Sequence, residues 1–539
     1  MIIKGKILDP LKRTIFDAIV TVQDGIIKAI EQSDEDYSDY IIPGYIDAHV
    51  HVESSMLIPS EFAAVAVKHG TIGVVADPHE IANVCGEEGI NFMIDNGEDV
   101  PLEFLFGLPS CVPATHLESS GAVIDGFDTD RLLAEGRVGF LAEMMNFPGV
   151  LAGDKEVMMK LESARRLGMV IDGHAPGVKG KELINYISCG ISTDHEAVTL
   201  EEATEKINRG MKILIREGSA ARNLDALHFL VSTNPDKVML CCDDIHPETL
   251  IKGHINLIVK KLLSLGHDIF DVFSAATVNP VNHYGIDVGL LQVGHRADFQ
   301  VVSDLSNLTV KEVYIKGKIV FGDNSVLFDM PLVKPVNSFN SSKVNSGRLR
   351  VIAEGNRMRV IRAYDGQLIT VNEYIDVQKG WEVKPDTGRD ILKLVVKERY
   401  NDKAAVSAFI TGFGLKRGAF AGSVAHDSHN IIAVGCDDRS IAEAINMVVE
   451  MKGGLSVYDN GPVLKLELPV GGIMSDVPCG TIARKYEQMS DYVKEMGSGL
   501  RAPFMTLSFM SLLVIPEIKL GDRGLFELSS FSFVDQFEE

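Results

Sequence analysis

None of the seven cysteines forms a Cys-x-x-Cys pair, and their number is odd, so neither a zinc knuckle nor a disulfide framework is indicated. Such usage fits a reducing cytoplasm. Positive charge is scarce: 52 Lys and Arg stand against 75 Asp and Glu, a formal net charge of -23. Nucleic acid and anionic membranes would both repel such a chain, which leaves a small molecule as the expected ligand. Long apolar runs are missing too, because the most apolar late segment, 503–516, is too short to span a bilayer and has proline at each end. The opening, Met1-Ile-Ile-Lys-Gly-Lys-Ile7, reads as a strand and lacks the apolar core of a secretion signal. No Gly-x-Gly-x-x-Gly opens a helix after the first strand, so the main cue for a dinucleotide-binding open sheet is absent.

What is present is a chain of 539 residues, 46% apolar, long enough for two or three domains. Short apolar runs separated by turn residues fill 1–42, and further strand-like runs recur within 291–335. Two such sets joining in one split β-sandwich would bracket 43–290 as an inserted domain. There a strand-then-helix rhythm repeats, with candidate strands at 41–46, 71–76, 102–108, 138–142, 169–171, 190–193, 211–215 and 238–242. Helical spacing follows at 60–69, 155–167, 200–209 and 247–265. Eight such units in about 250 residues predict a (β/α)8 TIM-type barrel. The stretch 336–347 has a linker's composition, and 348–539 mixes strand and helix patterns as a C-terminal α/β domain. The expected fold class is α/β, a TIM-type barrel inserted in a small split β-sandwich and followed by a C-terminal α/β domain.

The chemistry lies where those strands end. In a barrel the C-terminal ends of the strands converge on the axis, and here they read Asp47-Ala-His49-Val-His51, Asp77-Pro-His79-Glu80, Glu143, Asp172-Gly-His174, Asp194-His195-Glu196, Arg216-Glu217-Gly-Ser219 and Asp243-Asp244-Ile-His246. His49 and His51 are two apart on a strand, so they point the same way and can grip one ion. Imidazole and carboxylate without thiolate suit a borderline or hard divalent ion such as Zn, Mn or Fe(II). Cys241 and Cys242 read as small packing residues of strand eight. The run His426-Asp-Ser-His429 has ligand-type residues, but a turn with local hydrogen bonds is the preferred reading.

These residues resemble the amidohydrolase superfamily. The longer phrases resemble its bacterial-type adenine deaminase family: Asp77-Pro-His-Glu-Ile-Ala-Asn-Val84, Phe140-Leu-Ala-Glu-Met-Met-Asn-Phe-Pro-Gly149, Asp172-Gly-His-Ala-Pro-Gly177, Ile191-Ser-Thr-Asp-His-Glu196, Ile215-Arg-Glu-Gly-Ser-Ala-Ala-Arg-Asn-Leu224 and Cys242-Asp-Asp-Ile-His-Pro247. Two C-terminal phrases join them, Ala425-His-Asp-Ser-His-Asn430 and Pro503-Phe-Met-Thr-Leu-Ser-Phe-Met-Ser-Leu512. The resemblance implies hydrolysis of adenine to hypoxanthine and ammonia, as in purine salvage, with two divalent ions, usually Mn2+ or Fe2+. It implies His49 and His51 on one ion, His174 and His195 on the other, Glu143 between them and Asp243 beside the nucleophile. Many relatives bridge their metals with a carbamylated lysine on strand four, whereas this chain has no lysine from Arg137 to Gly153. Glu143 can do the same electrostatic work, or it can face the purine and protonate N1. Glu80, Glu217 and Asp244 are further candidates for that proton, and His79, Glu80, Arg216, Glu217, Ser219 and Asp244 are candidate substrate contacts.

A cyclic amide hydrolase of the dihydroorotase or hydantoinase kind would share the barrel but is expected to carry the strand-four lysine. A non-catalytic metal-binding barrel would be marked by lost ligands, and none is lost. Zinc deaminases of the Pro-Cys-x-x-Cys type are excluded because that motif is absent. A homo-oligomer is the expected assembly.

Overall fold

The structure is a computed structural model that describes every residue except Ala220 and Pro462. It divides into two compact units. The first comprises Met1–His79, Ile90–Cys111 and Ile124–Val333, and the second comprises Glu80–Gly89, Val112–Val123 and Lys334–Glu539.

In the first unit, strands from both ends of the sequence share one eight-stranded sheet. Its join is antiparallel pairing of Tyr40–Pro43 with Phe299–Val302. Ile7, Val20, Ile27, Phe299 and Tyr314 pack together on it, as the alternating apolar residues of these strands require.

Eight parallel strands follow one another through the rest of the unit: Tyr45–His51, Thr71–Ala76, Glu103–Leu108, Phe140–Met144, Val170–Gly173, Thr193–Asp194, Lys212–Arg216 and Val238–Cys241. Helices such as Pro59–Ala66, Lys155–Arg166 and Leu200–Asn208 connect them, giving the β/α barrel. Ala48, Val75, Phe140, Ala142, Leu214, Met239 and Cys241 form one buried cluster of strand residues. The eighth strand closes the ring in two pieces. Val238–Cys241 pairs with strand seven, then Asp243–Asp244 pairs with Val50 and His51 of strand one.

Two expectations are corrected. The run 41–46 is not one strand, because Tyr40–Pro43 belongs to the outer sheet and the barrel strand starts at Tyr45. Gly44 divides them where a Cβ would lie 2.5 Å from the Ile72 side chain. The helix expected over 247–265 is two helices, Pro247–Leu250 and Ile255–Ser264. His254, at φ -133° and ψ -134°, breaks it.

The second unit is built on a mixed sheet in which Leu392–Lys397, Ile431–Gly435, Ala419–Gly422 and Gly454–Tyr458 are neighbours. The helix Asp438–Met451 lays Ile441, Ile445 and Val448 against Val395, Ala421 and Ala433, and the Asp437 side chain caps its start by accepting from Ser440 N–H.

Candidate metal centre

The C-terminal ends of the barrel strands bring together overlapping clusters of possible ligands: His51, Asp77, His79 and Glu143; Glu143, His174 and His195; and His49, His195 and Asp243. Glu143 is shared. Its Oε1 stands 3.2 Å from His51 Nε2, while its Oε2 lies 2.7 Å from His174 Nδ1 and 3.2 Å from His195 Nε2. Asp243 Oδ1 is 3.1 Å from His51 Nε2 and 3.5 Å from His49 Nε2. The rings are closely nested, His49 stacking on His195 with centroids 4.4 Å apart. His174 is the least enclosed, with 27% of its side chain exposed.

The donor set fits a cation. His51 Nδ1 lies 3.1 Å from the carbonyl of Asp77, an acceptor, so Nδ1 carries the proton. With Nδ1 donating, Nε2 faces two carboxylate oxygens, an arrangement that repels unless a proton or a metal ion lies between. The electrostatics agree. Burial would push the His195 imidazole down, but Glu143 outweighs it and raises the pKa to about 9. His51 is likewise raised well above its ordinary value against burial, by Asp243 and Glu143. Burial would raise Glu143, yet His174, His195 and His51 hold it well below the usual carboxylate range. The pocket is anionic and calls for positive charge.

Two further groups complete it. Arg216 donates to Glu196 through both terminal nitrogens, at 2.6 and 3.0 Å, and also to Asp243 Oδ2. Glu196 Oε1 in turn stands 3.5 Å from His195 Nε2 and 3.7 Å from His174 Nδ1. Sequence reasoning gave Glu196 no role, although its place immediately after His195 at a strand end was the available signal. Beneath the loops, fully buried Lys206 bonds Asp194, Glu202 and the carbonyl of Ala175. Asp194 also accepts from Ala175 N–H and Ala197 N–H, which fixes the chain on either side of the His174 and His195 side chains.

The remaining candidates have the following partners. Glu217 faces Lys261 Nζ at 3.1 Å, so it is turned toward a helix, as one of two consecutive strand residues must be. Asp244 accepts from Ser54 Oγ. Ser219 accepts from His246 N–H at 2.9 Å and its Oγ lies 3.1 Å from Thr249 Oγ1. Arg216 is bound to carboxylates of the protein itself. His79 Nδ1 lies 3.2 Å from Asp77 Oδ2 and 3.6 Å from Glu143 Oε1.

In the second unit, Glu80 meets His426 and His429, one on each carboxylate oxygen. Ala425 N–H donates to His429 Nδ1 at 3.2 Å, which leaves the ring's own proton on Nε2, facing Glu80. His429 thus presents an N–H to Glu80 and has no lone pair there to offer an ion.

Comparison with known proteins matches residues 40–320 to the amidohydrolase family and 367–532 to the adenine deaminase C-terminal domain. Over 99% of both chains, the protein is 50% identical to an adenine deaminase of Methanosarcina acetivorans and 43% identical to one of Borreliella burgdorferi. A Salinibacter ruber adenine deaminase is 49% identical over 99% of this chain and 98% of its own. The chain belongs to the amidohydrolase family, in its adenine deaminase branch. Family membership implies divalent metal, and the structure has clusters of imidazoles and carboxylates that could hold it. Among the described residues no helix is long and apolar enough to cross a membrane.

Proposed function

We propose that the protein hydrolyses adenine to hypoxanthine and ammonia, with two divalent ions held by His49, His51, Glu143, His174, His195 and Asp243. The observation that carries this is the similarity to curated adenine deaminases over 99% of the chain. The imidazole and carboxylate donors suit Zn2+, Mn2+ or Fe2+, and the family resemblance favours Mn2+ or Fe2+. Such ions lower the pKa of water toward neutrality.

The residues of the chain supply the rest. Attack of water at C6 breaks the aromaticity of the ring, so N1 must gain a proton as the bond forms, and the departing amine must gain another. Asp243 takes the proton of the attacking water and hands it to the amine. Its ionised state supports that role, because Arg216, His49 and His51 overcome the opposing effect of burial and keep its pKa well below the ordinary value. Glu143 is held ionised in the same way, which would suit it to holding a cation and counts against donation to N1.

The test is ammonia release by Mn2+-loaded or Fe2+-loaded protein from adenine, adenosine, dihydroorotate and hydantoin side by side. Adenine alone is expected to react, and turnover of dihydroorotate without adenine would overturn the reading. We further infer a cytoplasmic homo-oligomer in purine salvage; the seven free cysteines are in keeping with that compartment, and sedimentation measures the assembly. The inferred domains are 1–42 with 291–335, 43–290 and 348–539, joined by 336–347, with proteolysis expected in the joining segment.

A further inference from the structure

The seam between strands one and eight holds a buried pair that the chemistry above does not use. Asp47 and His254 are both fully buried or nearly so, at 0% and 2% exposure. Strand eight pairs with strand one only from Asp243 onward, so the backbone N–H of Cys242, one residue earlier, lacks a strand carbonyl. Asp47 Oδ1 accepts it at 3.1 Å, and accepts the N–H of His49 at 3.3 Å. One carboxylate oxygen therefore stands in for the missing ladder.

That oxygen sits where the backbone is least regular. Strand one shifts register between Asp47 and Val50, and Asp243 has φ 60°, a left-handed value uncommon for residues other than glycine. The two N–H groups belong to His49 itself and to the residue preceding Asp243. The other oxygen, Oδ2, is 2.9 Å from His254 Nε2, a close contact between buried groups that lacks hydrogen-bond geometry. His254 is anchored in turn, its Nδ1 lying 2.7 Å from Thr71 Oγ1 on strand two and its ring edge-on to Phe62. It reaches this place because the chain breaks between the helices Pro247–Leu250 and Ile255–Ser264.

We propose that Asp47, braced by His254, is a positioning residue that sets the backbone of His49 and of Asp243 at the seam where the barrel closes. Its side chain substitutes for backbone pairing on both strands, so each group reaches the centre at a fixed height and angle. The charge of Asp47 is not what the role requires; an acceptor oxygen is.

The inference rests on the ligand assignment proposed above. It is tested on full-length protein stripped of metal by chelation and titrated with cobalt(II) chloride, whose visible bands report ligand geometry. Asp47→Asn keeps the acceptor and should give the wild-type spectrum with kcat within about threefold. Asp47→Ala removes it and should shift the bands, weaken cobalt binding by roughly 10 to 100-fold, typical of losing a group that orients ligands, and lower kcat more than it raises KM. His254→Gln should fall between the two. If Asp47→Ala does not fold, the decision passes to the others: the proposal requires Asp47→Asn to keep the spectrum and His254→Gln to shift it. An unchanged Asp47→Ala, or Asp47→Asn as impaired as Asp47→Ala, overturns it. Wild-type protein that binds no cobalt would instead overturn the ligand assignment.

Discussion

Arg216 and Asp243 divide one carboxylate between two tasks. The guanidinium binds Oδ2, while Oδ1 faces His51 and His49 at 3.1 and 3.5 Å. A carboxylate gripped at one oxygen cannot rotate, so the other is presented at a fixed angle to whatever lies among the imidazoles.

Replacing the grip should therefore slow turnover without emptying the centre. Arg216→Gln is expected to lower kcat by roughly 10 to 100-fold while metal content, read by elemental analysis, stays near two per chain. Parallel loss of metal would show that Arg216 only holds the site together.

Asp243→Asn separates proton transfer from ligation. An amide retains the shape but cannot take a proton from water. Turnover of adenine is expected to vanish while both ions remain, and equal loss of the two would make Asp243 a ligand first.

Lys206 is wholly enclosed with Asp194 and Glu202. Lys206→Met would leave two buried carboxylates without their cation, a change that typically costs about 3–5 kcal/mol. Urea denaturation should show a lower midpoint with an unchanged slope.

Lys519 provides a pH test in the second unit. It is fully buried, and its ammonium donates to the carbonyl of Leu368 at 2.6 Å. Burial lowers its pKa from 10.5 to about 7. The unfolded chain thus binds more protons than the folded one between those values, so the cost of the lysine is complete below pH 7 and fades as pH rises toward 10. Every tenfold loss of proton affinity on folding corresponds to roughly 1.4 kcal/mol. Lys519→Met is expected to raise Tm most at pH 6 and to converge with wild type near pH 10; a gap independent of pH would mean that packing alone is at work.

The barrel was readable because its strands are buried on both faces and alternate with amphipathic helices, a rhythm that survives any error of a few residues at element ends. The clustered histidines were readable for a related reason, since strand ends in a barrel converge. Other features lay beyond one-dimensional reading. Whether Arg216 or Glu217 faces inward depends on the phase of a short strand, and the contact of Glu80 with His426 and His429 joins residues some 346 and 349 positions apart. The break at Gly44 was hidden by apolar residues on both sides, and only the close approach of Ile72 reveals why a glycine stands there.

The eighth strand hands over from one neighbour to the other within seven residues, Val238 to Asp244. Its last two residues are both the final stave of the ring and the source of the acid beside the histidines. Completing the cylinder and assembling its reactive mouth are consequently a single event, and a chain with that stave unlatched would have most of its core but none of its chemistry.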